Sequence, residues 1–232
     1  MDIDSFETAV QSFKTLYQNK GVLLGAIAGL IFVVAVNLIV PNPQTITSQI
    51  SAASIGQIFV LFVAVAIVSI IVQPLITGFV IASAYYPKKS TGERLMIAAR
   101  RWIYLVAGLI VYTIVVLIGL VALIIPGIYI ALRLYPYYTA IVAGNCGPIE
   151  GAKKAWNMTR GQVWALLSLA IIITVVVFIL ELAFMAANPI AGSAVGGFIG
   201  YAGTVAGVLV YNQLSLKVQS DGRKKKKKIS GK

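Results

Sequence analysis

The 19 Lys and Arg residues of this chain are confined to a few places, and that confinement dictates the kind of fold it can adopt. Lys14 and Lys20 stand near the N-terminus. Lys88, Lys89, Arg94, Arg100 and Arg101 share one connection, Lys153, Lys154 and Arg160 a second, and Lys217, Arg223, Lys224 to Lys228 and Lys232 the C-terminal end. Arg133 alone falls inside an apolar run. Between the clusters lie uncharged stretches long enough to cross a bilayer, which takes roughly 20 apolar residues for a hydrocarbon core of about 30 Å. With 59% hydrophobic and 11% charged residues, the composition is that of a polytopic membrane protein.

The runs predict an all-α fold, a six-helix transmembrane bundle with spans at 21–40, 55–85, 102–125, 127–144, 162–186 and 194–216. Residues 1–218 then form a single transmembrane domain, and 219–232 a disordered polybasic tail, too charged to fold. Lys and Arg in short connections mark the cytoplasmic side, so both termini are expected in the cytoplasm of a multi-pass protein of the cell membrane. The connections at 41–54, 126–127 and 187–193 carry no Lys or Arg and face the other way. The first apolar run is long for a signal core and is followed by Pro41-Asn42-Pro43, a poor cleavage context, so it reads as a retained span.

Three similar units follow one another, each a hairpin of two spans preceded by a short cytoplasmic amphipathic helix. Phe6, Val10, Phe13 and Tyr17 make one apolar stripe in the first lead-in. The second opens on Ser90-Thr91-Gly92-Glu93, the spacing of a capping box, and the third on Gly147-Pro148, with Pro suited to the first helical position. Pro41-Asn42-Pro43, Pro126-Gly127 and Asn188-Pro189 supply the outer turns.

Within the spans, a few residues stand out. The uncharged run 55–87 would measure about 50 Å as a straight helix, and Gln73, Pro74 and Gly78 mark either a kink in a tilted helix or a break that exposes backbone to a cavity. Arg133 lies about 9 Å beneath the expected turn at Pro126-Gly127, and Glu181 is the one acidic residue inside a span. Two arrangements fit: an intramembrane ion pair or polar site built from both, or two side chains that each reach the outer interface, Arg133 beside Tyr129. Gly196, Gly200, Gly203 and Gly207 form a small-residue stripe for close helix packing, inside the bundle or in a homo-oligomer.

The basic tail, Arg223 and Lys224, Lys225, Lys226, Lys227 and Lys228, suits contact with anionic lipid headgroups or RNA. No aromatic residue interleaves the lysines, so no specific nucleic-acid partner is expected. The chain has no His and one Cys, which removes His-dependent triads and the usual metal-ligand patterns, and no phosphate-binding or dinucleotide motif occurs. No catalytic residue, metal or cofactor is expected.

The stretch Ile125-Pro126-Gly127-Ile128-Tyr129 through Arg133, continuing to Gly147-Pro148-Ile149-Glu150-Gly151-Ala152, Trp156 and Thr159-Arg160-Gly161, resembles a polytopic membrane-domain superfamily. Its members are related to the membrane domain found ahead of some glycerophosphodiester phosphodiesterases and also occur as stand-alone six-span proteins in bacteria and archaea. The motif covers about 35 residues, and the resemblance implies a six-helix fold without the hydrolase activity, since the hydrolase domain has no counterpart here. Members often carry an acidic residue shortly before the Gly-Pro pair, where this chain has Gly144-Asn145. The reading that follows is a non-enzymatic membrane protein that organises membrane, handles lipid or scaffolds a membrane-protein partner. Its rivals are a small-solute transporter or channel subunit using Arg133 and Glu181, and a membrane-protein insertion factor with a ribosome-binding tail.

Overall fold

The structure, a computed structural model, describes residues 3–39, 52–186 and 188–230, and of 52–55, 122 and 219–230 the backbone alone. The expected turn at Pro41-Asn42-Pro43 lies outside the described residues. Among those described, every regular element is a helix: α1 (Ser5–Gln18), α2 (Lys20–Ile39), α3 (Ala52–Tyr85), α4 (Thr91–Ala122), α5 (Ile124–Arg133), α6 (Tyr137–Val142), α7 (Pro148–Met158), α8 (Val163–Met185) and α9 (Pro189–Ser230). Five of them, α2, α3, α4, α8 and α9, are long and apolar enough to cross a membrane. Their large side chains point outward, with Phe59, Val121 and Trp164 at 68%, 86% and 82% exposure, as suits a multi-pass membrane protein.

Helix α9 is the centre. In its most apolar window 56% of residues are buried, against 22% or less in the other four candidate spans, and it packs on α1, α2, α3, α6, α7 and α8. Small residues permit this, because in lipid helices associate by close van der Waals approach rather than by a hydrophobic difference. Gly29 of α2 lies against the Tyr201 ring, Gly197 against Val33, Gly196 against the Glu181 carboxyl group and Gly207 against the Tyr135 backbone, while Gly200 faces open space. The same rule orients the lead-in helix α1, which buries Thr8, Ala9, Ser12 and Leu16 and leaves the stripe residues Phe6, Val10 and Tyr17 exposed.

Local signals account for the starts of α4 and α7. Ser90 and Glu93 form the expected reciprocal box: the Glu93 amide donates to Ser90 Oγ at 3.3 Å and the Ser90 amide to Glu93 Oε2 at 2.8 Å. Helix α7 starts at Pro148, and the Gly147 amide donates to Glu150 Oε2 at 3.3 Å. Helix α3 is not broken at Gln73, Pro74 and Gly78; it runs through Pro74 as one element. Proline disturbs the hydrogen bonds of the preceding turn, and in that turn the Trp102 indole donates to the Ile71 carbonyl at 2.7 Å. Gly78 meanwhile lets α4 approach, with Leu105 Cδ1 2.7 Å from where a Cβ would stand.

Three expectations are corrected. The span at 127–144 is two short helices, α5 and α6, separated at Leu134-Tyr135-Pro136, because Pro136 has no amide to donate and biases the residue before it away from helix. The reversal between α4 and α5 falls at Leu123, in extended conformation, rather than at Pro126-Gly127. Gly119 and Gly127 allow it, since a Cβ on Gly119 would stand 2.9 Å from Gly127 Cα. Finally, α9 stays helical to Ser230, through a tail expected to be disordered. Lysine is a good helix former, and extending an existing helix carries no nucleation cost.

The glycine contacts give a first test. Gly119→Ala should lower stability in detergent by about 1–3 kcal/mol, because the new methyl meets the Gly127 backbone as well as the end of the Ile130 side chain, and only the latter can move away. Gly200→Ala should leave the thermal midpoint unchanged or slightly raised; equal losses in both variants would contradict the packing described.

Candidate functional site

Helix α5 ends on Arg133, which is only 5% exposed. Its Nη1 donates to the Tyr129 hydroxyl at 3.2 Å, and its Nη2 donates to the main-chain carbonyl of Trp156. Trp156 belongs to the last turn of α7, where carbonyls lack intrahelical partners and the helix dipole presents negative charge. Above the guanidinium lies the Trp156 ring, 4.4 Å from Cζ to the ring centroid, with the Tyr129 ring at 5.7 Å. The two rings meet edge to face at 5.9 Å. The cation is therefore held by an indole face, a phenol and a helix C-terminus. Nε is buried without a hydrogen-bond partner.

A second contact locks the same elements. Thr159, fully buried, donates through Oγ1 to the carbonyl of Arg133 at 2.9 Å, a bond shared with the Ala155 carbonyl at 2.8 Å. Gly161, at φ 80°, then turns the chain into α8 in a conformation that L side chains rarely adopt. Residues far apart in sequence thus converge: Tyr129 and Arg133 from α5, Trp156 from α7, Thr159 and Gly161 from the turn beyond it.

Arg133 and Glu181 do not form an ion pair. Leu132 packs in one cluster with Ala206 and Val210 of α9, whereas Glu181 lies against Gly196. Tyr135, two residues beyond Arg133, meets Gly203 and Gly207 of α9, which lie seven and eleven residues past Gly196, roughly 10–16 Å along the axis. A turn at Pro126-Gly127 would put Arg133 and Glu181 at similar depth; the short α5 and its earlier turn put Arg133 beside the start of α8 instead. Gln73 is likewise a packing group, accepting from the Tyr201 hydroxyl at 3.2 Å. Contacts of Arg223 and Lys224 to Lys228 lie outside the described side chains.

Beside Trp156, a cavity of about 250 Å³ opens between α4 and α7. Its walls are mostly apolar, formed by Val111, Val115, Leu134, Tyr137 and the Trp156 ring, with Lys153 and Asn157 also lining it. Such a groove accepts hydrocarbon more readily than a hydrated solute.

Arg94 is more than a topological charge. In the structure it is 9% exposed, donates from Nη2 to the Pro87 carbonyl at 2.6 Å and lies against Gly21, where an added Cβ would clash with Nη1. Its spacing was a usable signal, since Arg94, Ala98 and Leu105 fall at i, i+4 and i+11 on the buried face of α4. No family model, curated protein or solved structure matches this chain.

Charge reversal tests the account of Arg133. Arg133→Glu combined with Glu181→Arg should recover none of the stability lost in Arg133→Glu alone, and effects of the two sites should add within about 0.5 kcal/mol. Trp156→Leu should cost about 1–2 kcal/mol by removing the indole face from a desolvated cation. Recovery in the double variant, measured by thermal unfolding in detergent, would restore the ion pair.

Proposed function

We propose that this chain is a non-enzymatic multi-pass protein of the cell membrane, with both termini in the cytoplasm, whose bundle binds and organises lipid. The observation that carries the reading is the apolar groove between α4 and α7, with the Trp156 ring on its wall and Lys153 beside it. A lipid chain satisfies such a surface, while an ammonium at its edge suits a headgroup. In this reading α5 and α6 together make the fourth crossing, so three hairpins and six crossings result, and α1 and α7 lie at the cytoplasmic side. The resemblance to the stand-alone membrane-domain superfamily supports the same topology.

Transport through Arg133 and Glu181 is the weaker reading, because a relay needs the two groups at one depth, and Glu181 lies against Gly196 while Tyr135, next but one to Arg133, lies against Gly203 and Gly207, roughly 10–16 Å along α9. Arg133 is also enclosed by protein groups rather than presented to a polar path.

Two measurements test the proposal. The protein purified in mild detergent should retain phospholipid in native mass spectra, and Val111→Trp with Val115→Trp, which fills the groove, should reduce that retention; a lipid-free protein would sink the reading. For topology, single cysteines at positions 92 and 230 in a Cys146→Ser background should react with an impermeant maleimide only after the membrane is opened, and one at position 188 in intact cells. Labelling of position 230 in intact cells would reverse the orientation.

A further inference from the structure

A second cavity, of about 480 Å³, lies where the α3–α4 connection meets the end of α6. Ile97, Arg100, Arg101 and Tyr104 fall at i, i+3, i+4 and i+7, so a single face of α4 forms one wall. Tyr86 and Lys89 come from the connection, and Val142, Ala143 and Asn145 from the end of α6. Asn145 takes a φ of 54°, a left-handed turn that Asn tolerates better than most residues.

Among the described residues, three cations line this cavity and no acidic residue does. Like charges gathered around one space repel each other, and an anion placed among them reverses the sign of that energy. The nearest acids are engaged as helix caps, although Glu93 also feels the charge of Lys89. Glu93, in the first turn of the same helix, accepts from both the amide and the hydroxyl of Ser90 at 2.8 and 3.0 Å, and Glu150 accepts from the Gly147 amide. Aromatic faces steady two of the cations: Lys89 Nζ lies 4.9 Å from the Tyr86 centroid and Arg101 Cζ 5.2 Å from that of Tyr104. Burial pushes the Tyr86 hydroxyl above the usual tyrosine range, so it remains a neutral hydrogen-bond donor. Two guanidiniums, an ammonium and a phenol together present the donors that a phosphate group accepts.

The surroundings point to an amphiphile rather than a small ion. Ile97, Val142 and the Tyr104 ring make much of the lining apolar. Along α4, Ile103, Ile110 and Ile114 continue the stripe that begins at Arg100, and all three are exposed. A molecule held by its phosphate at Arg100 would have a continuous apolar track for its chains.

We infer that this cavity is a selective site for the phosphate of an anionic phospholipid, clamped by Lys89, Arg100 and Arg101, with its acyl chains along Ile103, Ile110 and Ile114. The inference rests on the lipid-binding reading above and adds a location and a headgroup class to it. It is distinct from general attraction to the C-terminal lysines, which would hold any anionic surface.

The test uses the full chain in detergent, titrated with dioleoyl phosphatidylglycerol, with dioleoyl phosphatidylcholine and with inorganic phosphate, and read by native mass spectrometry. Arg100→Gln with Arg101→Gln should weaken phosphatidylglycerol binding by roughly tenfold or more while leaving phosphatidylcholine retention unchanged. Arg100→Lys with Arg101→Lys should keep most of the affinity, which separates lost charge from misfolding. Lys225→Gln with Lys226→Gln should change little. Equal loss in the tail variant, or no loss in the Gln pair, would overturn the site. Inorganic phosphate displacing phosphatidylglycerol at equal concentration would also overturn it, by making it a free-anion site. Each of these failures leaves phosphatidylcholine retention by the bundle intact, whereas loss of all lipid from the unaltered protein would reject the broader reading.

Discussion

A buried guanidinium with no carboxylate partner ties the middle of this bundle together. Removing Arg133 from water is tolerable only where dipoles and polarisable faces replace its hydration. The last turn of α7 supplies a free carbonyl and the negative end of a helix dipole, and the Trp156 and Tyr129 rings cover the cation. That solution dictates much else. Helix α5 must end at Arg133, α7 must bring its C-terminal turn to the same point, and Thr159 and Gly161 must then redirect the chain into α8. Glu181 is left free of this arrangement and packs against Gly196.

The second constraint is the absence of a hydrophobic difference between protein and lipid, which leaves small residues to bring helices together. It explains why α9, with its glycines and alanines, occupies the centre and why large apolar side chains face out. The same logic governs the charges. Asp4, Glu93 and Glu150 are engaged at helix N-termini, where the dipole favours negative charge.

Hydropathy and charge clustering made the five long helices legible in the sequence, because span length is a one-dimensional property. The box at Ser90 and Glu93 and the start at Gly147-Pro148 were legible for the same reason, being patterns of a few adjacent residues. Depth was not legible. Whether Arg133 meets Glu181 depends on where α5 begins and stops, and one Pro in an apolar run, Pro136, moved that boundary without changing the hydropathy. Trp156 was visible only as one residue of the Ile125 to Gly161 motif, since its contact with Arg133 spans 23 positions. Arg94 was hidden in a cluster of cations that otherwise served orientation, although its place on the buried stripe of α4 marked it out.

Electron cryomicroscopy of the protein in a lipid nanodisc would show directly what occupies the groove between α4 and α7. Elongated, chain-like density along Val111, Val115 and the Trp156 ring, with Arg133 closed off behind the indole, is the result this account predicts. A continuous water-filled path through the bundle to Arg133, with no chain density in the groove, would contradict it.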